Sequence, residues 1–172
     1  TNIANAVAFD STRLYEGTYV TVKYVFDTSD AEQRFIITDN RADTTTLRVR
    51  VQTSVSDSTV TTYTKATDIT QLSATSSVYF LQEVENGRFE VYFGDGVVSK
   101  ALSDGNVVIL DYVVTNKTEA NGASSFSAPS TIDGVSTITT TTVTSASGGA
   151  EPESMDSIKL QAPLDFASQG RA

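Results

Sequence analysis

The sequence contains no cysteine, no histidine and no tryptophan. Without cysteine the chain has neither disulfides nor thiolate ligands for a metal. Without histidine it lacks the usual general base, the most common transition-metal ligand and every histidine-dependent catalytic triad. These absences disfavour enzyme chemistry, and we predict a protein that is not an enzyme and has no catalytic residue, cofactor or metal site.

Basic residues are also scarce, because 12 lysines and arginines stand against 21 aspartates and glutamates, which gives a net charge of −9. A nucleic-acid surface needs clustered cations that displace counterions from phosphates, and here the basic residues are scattered along the chain. No apolar run approaches the ~20 residues that cross a bilayer. We therefore expect neither a nucleic acid nor a membrane among the partners.

The length of the chain, 172 residues, suits one ordinary domain or one domain with a small appendage. The sequence opens at Thr1 without methionine and stops at Ala172 without a tail. From these two ends we expect a fragment of a longer protein.

Threonine, serine and alternating apolar residues are abundant, and this composition suits pleated sheets with one wet face. In the segment 18–26, Val20, Val22 and Tyr24 fall on one face, while polar residues dominate the other. The segment 46–54 alternates in the same way. We predict a mainly β protein of the α+β class, with antiparallel or mixed sheets. The predicted strands are 18–26, 34–38, 46–54, 58–66, 78–84, 88–93 and 106–115.

Two of these segments carry further signals. Asn86 and Gly87 tolerate the positive φ angles of a type I′ turn, so they predict a hairpin between the strands on either side. The segment 106–115 is nearly continuous in apolar residues, which indicates a central strand buried on both faces. Its acidic residue, Asp111, is then expected to meet water or a partner donor.

The C-terminal third changes character. The Thr-rich segment 135–147 has little charge, which predicts an edge strand or an extended connector that pairs with another strand or chain. Val135, Ile138 and Val143 are its candidate interface residues. Beyond the Gly-Gly at 148, a proline and flanking acids predict a short helical segment in 148–172.

Glycine turns at Gly94-Asp95-Gly96 and Gly105 allow two interpretations. Asp95 and Asp104 could bind Ca²⁺ with carbonyl oxygens, but calcium prefers six to eight oxygens from closely spaced acids, and these two lie in separate turns. The favoured interpretation is structural, because glycine permits tight reversals and aspartate bonds nearby backbone N–H groups.

Tyrosines offer the main functional alternative, a carbohydrate-binding or glycan-hydrolysing β-domain. Several tyrosines exposed together could form a sugar platform, whereas the simpler interpretation is that they fill or rim the core with their hydroxyls in water. The tyrosines concerned are Tyr19, Tyr24, Tyr63, Tyr79 and Tyr92.

Two motifs in a fixed order make the sequence recognisable. The stretch "FGDGVVSKALSDGNVVILDYVVTNKTEANG" has a Phe-Gly-Asp-Gly turn, a second glycine turn, a Val-rich strand and an asparagine beyond it. The stretch "SGGAEPESMDSIKLQAPLDFASQGRA" adds Gly-Gly, acidic, Ala-Pro, Phe and Arg-Ala elements. The chain thereby resembles the baseplate J-like family of contractile phage tails and related injection machines. The matching residues are Phe93 to Gly96, Gly105, Val107 to Tyr112, Asn121, Gly148, Gly149, Glu151, Glu153, Ala162, Pro163, Phe166, Arg171 and Ala172.

The chain departs from the pattern of that family at three positions. Ser99 and Lys117 stand where many members have glycine, and Leu102 stands where many have proline. These departures change the expected details of the turns. Within the family, the N-terminal stretch from Phe9 to Tyr24 is most similar to the larger wedge proteins of T-even phages.

The resemblance implies a structural subunit of the virion tail baseplate that is assembled in the host cytoplasm, without catalysis or cofactor. It implies association with a second copy as a homodimer and with other wedge proteins, in a ring around the tail hub. The sequence divides into an N-terminal β-rich region at 1–77, a baseplate J-like region at 78–147 and the helical segment at 148–172.

Overall fold

The computed structural model describes residues 12–128, 130, 131, 134–151, 157, 159, 160 and 163. The chain forms two compact units, residues 1–116 and residues 117–172. Each unit is described separately below.

The first unit contains seven strands and no α-helix among its described residues. Single turns of 3-10 helix occupy Ile69–Gln71 and Glu85–Gly87. This confirms the prediction of a mainly β protein, and the seven strands lie close to the predicted segments. They are β1 (Thr18–Val25), β2 (Phe35–Ile37), β3 (Ala42–Gln52), β4 (Val60–Lys65), β5 (Val78–Val84), β6 (Arg88–Tyr92) and β7 (Val107–Val114).

The strands form one mixed sheet in the order β1-β7-β3-β4-β5-β6-β2. Neighbouring strands are antiparallel except β4 and β5, which pair in parallel. The last strand of the sheet, β7, lies between β1 and β3. Strands on both sides of residue 77 therefore share one sheet, while the predicted region boundaries at 77 and 147 stay predictions.

The core lies on one side of each strand, as the period-two pattern predicts. Leu47, Val49 and Val51 of β3 are buried there, beside Val108 and Leu110 of β7. The sheet curls around this core, because side chains from its two edge strands meet. The ring centroids of Tyr24 and Phe35 lie 5.6 Å apart, and the Tyr24 hydroxyl donates to the Ile36 carbonyl oxygen at 2.7 Å.

The opposite side of β1, β7, β3 and β4 is here called the outer face. It carries Thr21, Arg50 and Asp111, whose side chains are bonded to one another across the three strands β1, β7 and β3. Although β7 belongs to a sheet with one wet side, residues 107–112 are all buried. The prediction of a central strand buried on both faces is therefore confirmed.

The predicted hairpin is present, but its loop is one residue longer than a two-residue turn. Val84 pairs with Arg88, so the loop is Glu85–Gly87. Asn86 and Gly87 have φ angles of 62° and 68°, the left-handed values that the dipeptide predicts. The loop has three residues because Glu85 lies in the 3-10 turn and does not pair with the opposite strand.

The second unit begins with a 3-10 turn at Lys117–Ala120 and continues as extended, irregular chain. In the Thr-rich segment the structure contains no strand across residues 136–142, so the edge-strand prediction is wrong and the connector alternative stands. The physical reason is that threonine side chains take part in the pairing. Thr140 and Thr142 donate through Oγ1 to the carbonyl oxygens of Phe126 and Ser124, both at 2.8 Å.

Most of the predicted helical segment 148–172 lies outside the described residues, so it stays a prediction. Among the residues that the structure describes, no helix is long and apolar enough to cross a membrane.

Candidate functional site

The Phe-Gly-Asp-Gly turn is held by its own aspartate. Asp95 Oδ1 accepts from the Val97 backbone N–H at 2.9 Å, and the Gly96 N–H donates to the Ser99 carbonyl oxygen at 2.9 Å. Hydrogen bonds from the Val97 and Val98 backbones hold the pKa of Asp95 below its ordinary value. The carboxylate of Asp95 therefore serves to close this turn.

Gly94 packs directly against Ser99. A Cβ at position 94 would collide with Ser99 Oγ and would lie 2.9 Å from the Ser99 carbonyl oxygen, so only glycine fits there. Ser99 is fully buried, and its hydroxyl has no hydrogen-bond partner among the described residues. The sequence signal for this contact is the serine at position 99, where many members of the family have glycine, and that signal concerns only the details of the turn.

The second glycine turn is tied to a different loop. Asp104 Oδ1 accepts from the Thr28 backbone N–H at 3.0 Å and from the Thr28 hydroxyl at 3.2 Å. The Gly105 N–H donates to the Phe26 carbonyl oxygen at 2.8 Å. Asp95 and Asp104 therefore hold separate turns. Within the described part of the chain, no group of three or more acidic side chains is arranged to hold a metal ion.

The two motifs that carry the family resemblance meet in the second unit. Asn121 Nδ2 donates to the Gly149 carbonyl oxygen at 2.8 Å, and the Gly149 N–H donates to Asn121 Oδ1 at 2.9 Å. Gly149 also packs closely on the backbone carbonyl of Lys117. Lys117 Nζ forms an ion pair with Glu151 at 2.8 Å. Asn121 and the Gly-Gly sequence thus form a clamp between residues 117–121 and 149–151.

A buried carboxylate lies at the centre of the outer face. Asp111 is 1% exposed and accepts from Thr21 Oγ1 at 2.7 Å and from Arg50 Nε at 2.8 Å. Arg50 Nη2 is 2.6 Å from the same carboxylate. Burial alone would raise the pKa of Asp111, but the hydrogen bonds from Thr21 and Arg50 outweigh burial, so the pKa lies below its ordinary value. The prediction that Asp111 meets a partner donor is confirmed.

A second ion pair, which the sequence did not predict, joins Arg34, the residue before β2, to Glu90 of β6. Arg34 donates through Nε and Nη2 to the two carboxylate oxygens of Glu90 at 2.9 and 2.7 Å, and Gln82 donates to Glu90 at 2.9 Å. The hydrogen bond from Arg34 holds the pKa of Glu90 below its ordinary value. The sequence signal for this ion pair was the position of Glu90 between apolar residues of a strand. Its partner could not be identified from the sequence, because Arg34 lies 56 residues away.

The hairpin tip borders a shallow polar groove of about 400 Å³. Asn86 and Arg88 line one side, and Thr38, Asp39 and Asn40 line the other. Asp39 is engaged by Arg41, whose guanidinium lies 3.1 Å from its carboxylate. The groove is open and mainly polar, unlike the apolar clefts that enclose small molecules.

The five tyrosines of the alternative hypothesis are not all exposed together. Tyr63 and Tyr79 are buried, and Tyr24 points into the core, where it contacts Phe35. Tyr19 and Tyr92 are exposed, but four strands separate β1 from β6 in the sheet. Successive side chains of a strand point to opposite sides of the sheet. The rings of Tyr24, Tyr63 and Tyr79 lie on the core side and pack there. The glycan-platform hypothesis therefore has no structural support.

The three candidate interface residues lie along the irregular chain of the second unit. Val135 is 57% exposed and Val143 is 80% exposed, whereas Ile138 is half-buried. No charged residue stands between Val135 and Val143 in the sequence. The use of these residues as an interface stays a prediction.

The fold and these sites define a β-domain whose polar side chains close its turns and link its strands. The chain belongs to the family of the bacteriophage baseplate wedge protein gp6, third domain, whose family model matches residues 19–124. That range covers all seven strands apart from the first residue of β1. It confirms the resemblance to a wedge protein of contractile phage tails that the sequence motifs predict.

A curated relative, the baseplate wedge protein gp6 of Enterobacteria phage T4, is 27% identical in an alignment that covers 57% of this chain and 18% of that protein. The chain thus spans less than one fifth of the length of this relative. Among solved structures, the group B streptococcus pilus 2b backbone protein matches with 20% identity and a TM-score of 0.28, over 73% of this chain and 40% of that chain. A likeness at that level carries no argument here.

Proposed function

We propose that this chain is a structural domain of a contractile-tail baseplate, which associates with copies of itself and with other wedge proteins to form the ring around the tail hub. The observation that carries the proposal is the family match across residues 19–124. The chemistry agrees with it, because the polar residues described above stabilise turns and strand pairs. The protein acts in the virion after assembly in the host cytoplasm, and it needs neither catalysis nor a cofactor.

The contact surface that we propose for self-association is the segment 135–143. Two of its valines expose most of their side chains to water, which is unfavourable for an isolated chain. Residues 136–142 belong to no strand of the described structure, and we propose that a strand of another chain pairs with this backbone.

The test measures the mass of the purified chain by light scattering, alone and mixed with the other wedge proteins of its phage. We expect a concentration-dependent dimer, and we expect a Val135→Lys/Val143→Lys variant to weaken it at least about tenfold, since charge in an apolar contact is costly. The matched control is Val55→Lys/Val97→Lys, which alters two equally exposed valines in the first unit and should leave the mass unchanged.

Hydrogen exchange provides a second readout. Amides of residues 135–143 should exchange more slowly in the assembled state than in the isolated chain. A protein that stays monomeric at all concentrations and binds no wedge protein would contradict the proposed function. Equal exchange in both states would reject the segment 135–143 as the contact.

A further inference from the structure

The outer face carries an excess of positive charge, although the chain as a whole has a net charge of −9. Lys23, Arg48 and Arg50 point to this side of β1 and β3. The carboxylates on the same side include the buried Asp111 and also Asp43, which lies opposite Val113 and accepts from the Thr45 N–H and hydroxyl. Arg50 neutralises Asp111. Lys23 and Arg48 are exposed, and neither forms an ion pair with any described residue.

The register of the strands fixes the spacing of these cations. Lys23 and Arg50 lie opposite the same residue of β7, Ile109, from its two sides. Arg48 lies opposite Asp111, one row further along. Because neighbouring strands are ~4.8 Å apart, the backbones of Lys23 and Arg50 are about 10 Å apart. The cationic centre is therefore compact.

Apolar side chains border this centre on two sides. At one end Val25 lies in a row with Val107 and Val60, and both Val25 and Val60 are exposed. At the other end Tyr19 is 63% exposed and lies opposite Val113. Along β1 the outer face thus presents Val25, then Lys23, then Tyr19, and Asp43 lies in the row of Tyr19 on β3.

We propose that the outer face of β1, β7 and β3 is a docking surface for an acidic segment of a different protein. Carboxylates of that segment pair with Lys23 and Arg48, and its apolar side chains cover Val25 and Tyr19. The aliphatic parts of the lysine and arginine side chains add apolar contact area. This surface is separate from the segment 135–143 and adds a partner of defined chemistry to the proposed function.

Charge selects the kind of partner. A nucleic acid is disfavoured because two unpaired cations release few counterions, and the net charge repels phosphates. A symmetric contact of this face with the same face of a second copy is disfavoured because Lys23 and Arg48 of the two copies would meet like charges. An acidic segment of another protein meets neither obstacle.

The test is an NMR titration of the ¹⁵N-labelled chain with the peptide Val-Ser-Glu-Ser-Glu-Ser-Val. As an extended strand, this peptide places valine, two glutamates and valine on one side, in the order of the outer face. We expect saturable shifts at residues 19–25, 48–50 and 109–111. The Lys23→Gln/Arg48→Gln variant should weaken binding by about fivefold or more, since each exposed charge pair contributes modestly.

Matched controls separate local from overall charge. Lys65→Gln/Lys100→Gln changes the net charge equally at two exposed lysines elsewhere and should retain binding. The Val135→Lys/Val143→Lys variant should also retain binding, which distinguishes this surface from the proposed self-association. A peptide with lysine in place of glutamate should not bind.

Several outcomes would overturn the inference. These are no saturable shift, equal weakening by both glutamine variants, or equal binding of the lysine peptide. Tighter binding of an oligothymidylate to the same amides would assign the face to a nucleic acid. Concentration-dependent shifts of these amides without peptide, lost in Lys23→Gln/Arg48→Gln, would assign it to a second copy.

Discussion

At the scale of single residues, Gly94 and Ser99 depend on each other. The backbone at position 94 approaches the Ser99 side chain so closely that no Cβ fits between them. The Ser99 hydroxyl is enclosed by this contact and has no partner among the described residues. A buried hydroxyl without a hydrogen bond costs free energy, so the turn carries an unfavourable group at its centre.

We predict that Gly94→Ala lowers the free energy of unfolding by about 2 kcal/mol, because an added methyl group overpacks the turn. Ser99→Ala should leave stability unchanged or raise it, since it removes a buried hydroxyl that makes no bond. Urea unfolding measures both changes.

The double variant Gly94→Ala/Ser99→Ala controls for this explanation. It should recover part of the loss, because Ser99 Oγ is gone while the Ser99 carbonyl oxygen still lies 2.9 Å from the added Cβ. If Ser99→Ala is strongly destabilising, the hydroxyl has a partner and the explanation is wrong.

In this turn, some features could be predicted from the sequence and others could not. The Gly-Asp-Gly pattern predicts a reversal capped by aspartate, since both properties are local. The contact between Gly94 and Ser99 depends on how the chain returns after the turn. Serine in a loop gives no sign that it is buried, so its environment could not be predicted.

At the scale of elements, β7 depends on the charged side chains of its neighbours. On its outer side, Asp111 joins Thr21 on β1 to Arg50 on β3. A central strand with one buried acid thus links three strands through one carboxylate.

We predict that Asp111→Asn lowers the free energy of unfolding by about 2 kcal/mol, because the amide gives up a charge-assisted bond to Arg50. The matched control is Asp57→Asn, where an exposed carboxylate caps a turn and the loss should be smaller. Urea unfolding at pH 7 compares the two. Equal losses would show that the ion pair adds nothing beyond an ordinary cap.

Strand positions could be predicted because alternation is a local property, and the pattern in 18–26 and 46–54 matches β1 and β3. The order of the strands could not be predicted, because β7 reaches its place between β1 and β3 through contacts between residues about 60 to 90 positions apart.

In the Thr-rich segment 135–147 the strand prediction failed for a different reason. Hydroxyl groups of Thr140 and Thr142 replaced the backbone donors that a ladder requires.

At the scale of the whole molecule, carboxylates that are bonded in the folded state control the response to acid. Hydrogen bonds within turns hold the pKa values of Asp27, Asp57 and Asp68 below the ordinary value of 3.8. Despite burial, hydrogen bonds from Thr21 and Arg50 lower the pKa of Asp111, and the hydrogen bond from Arg34 lowers the pKa of Glu90. The folded protein therefore binds protons less readily than the unfolded chain.

We predict that the free energy of unfolding is nearly constant above about pH 5 and falls as the pH decreases below it. The unfolded chain takes up protons first, near the ordinary pKa values of 3.8 for aspartate and 4.5 for glutamate. Stability is therefore fully present above those values and is lost as the pH falls through the lower pKa values of the folded state. Urea unfolding between neutral and acidic pH tests this.

Asp111→Asn again supplies a control, because the variant should show a shallower decrease with acid than the original chain. Stability that is unchanged or increased at low pH would contradict the prediction.

The place of β7 in the sheet also has a consequence for biosynthesis. A ribosome releases β1 and β3 long before residues 107–114 have been translated, so both strands emerge with the edges that β7 will later fill. Open edges invite pairing with neighbouring nascent chains. The sheet can close only after nearly the whole first unit has left the exit tunnel, and a polypeptide that terminates before β7 leaves those edges permanently open to aggregation.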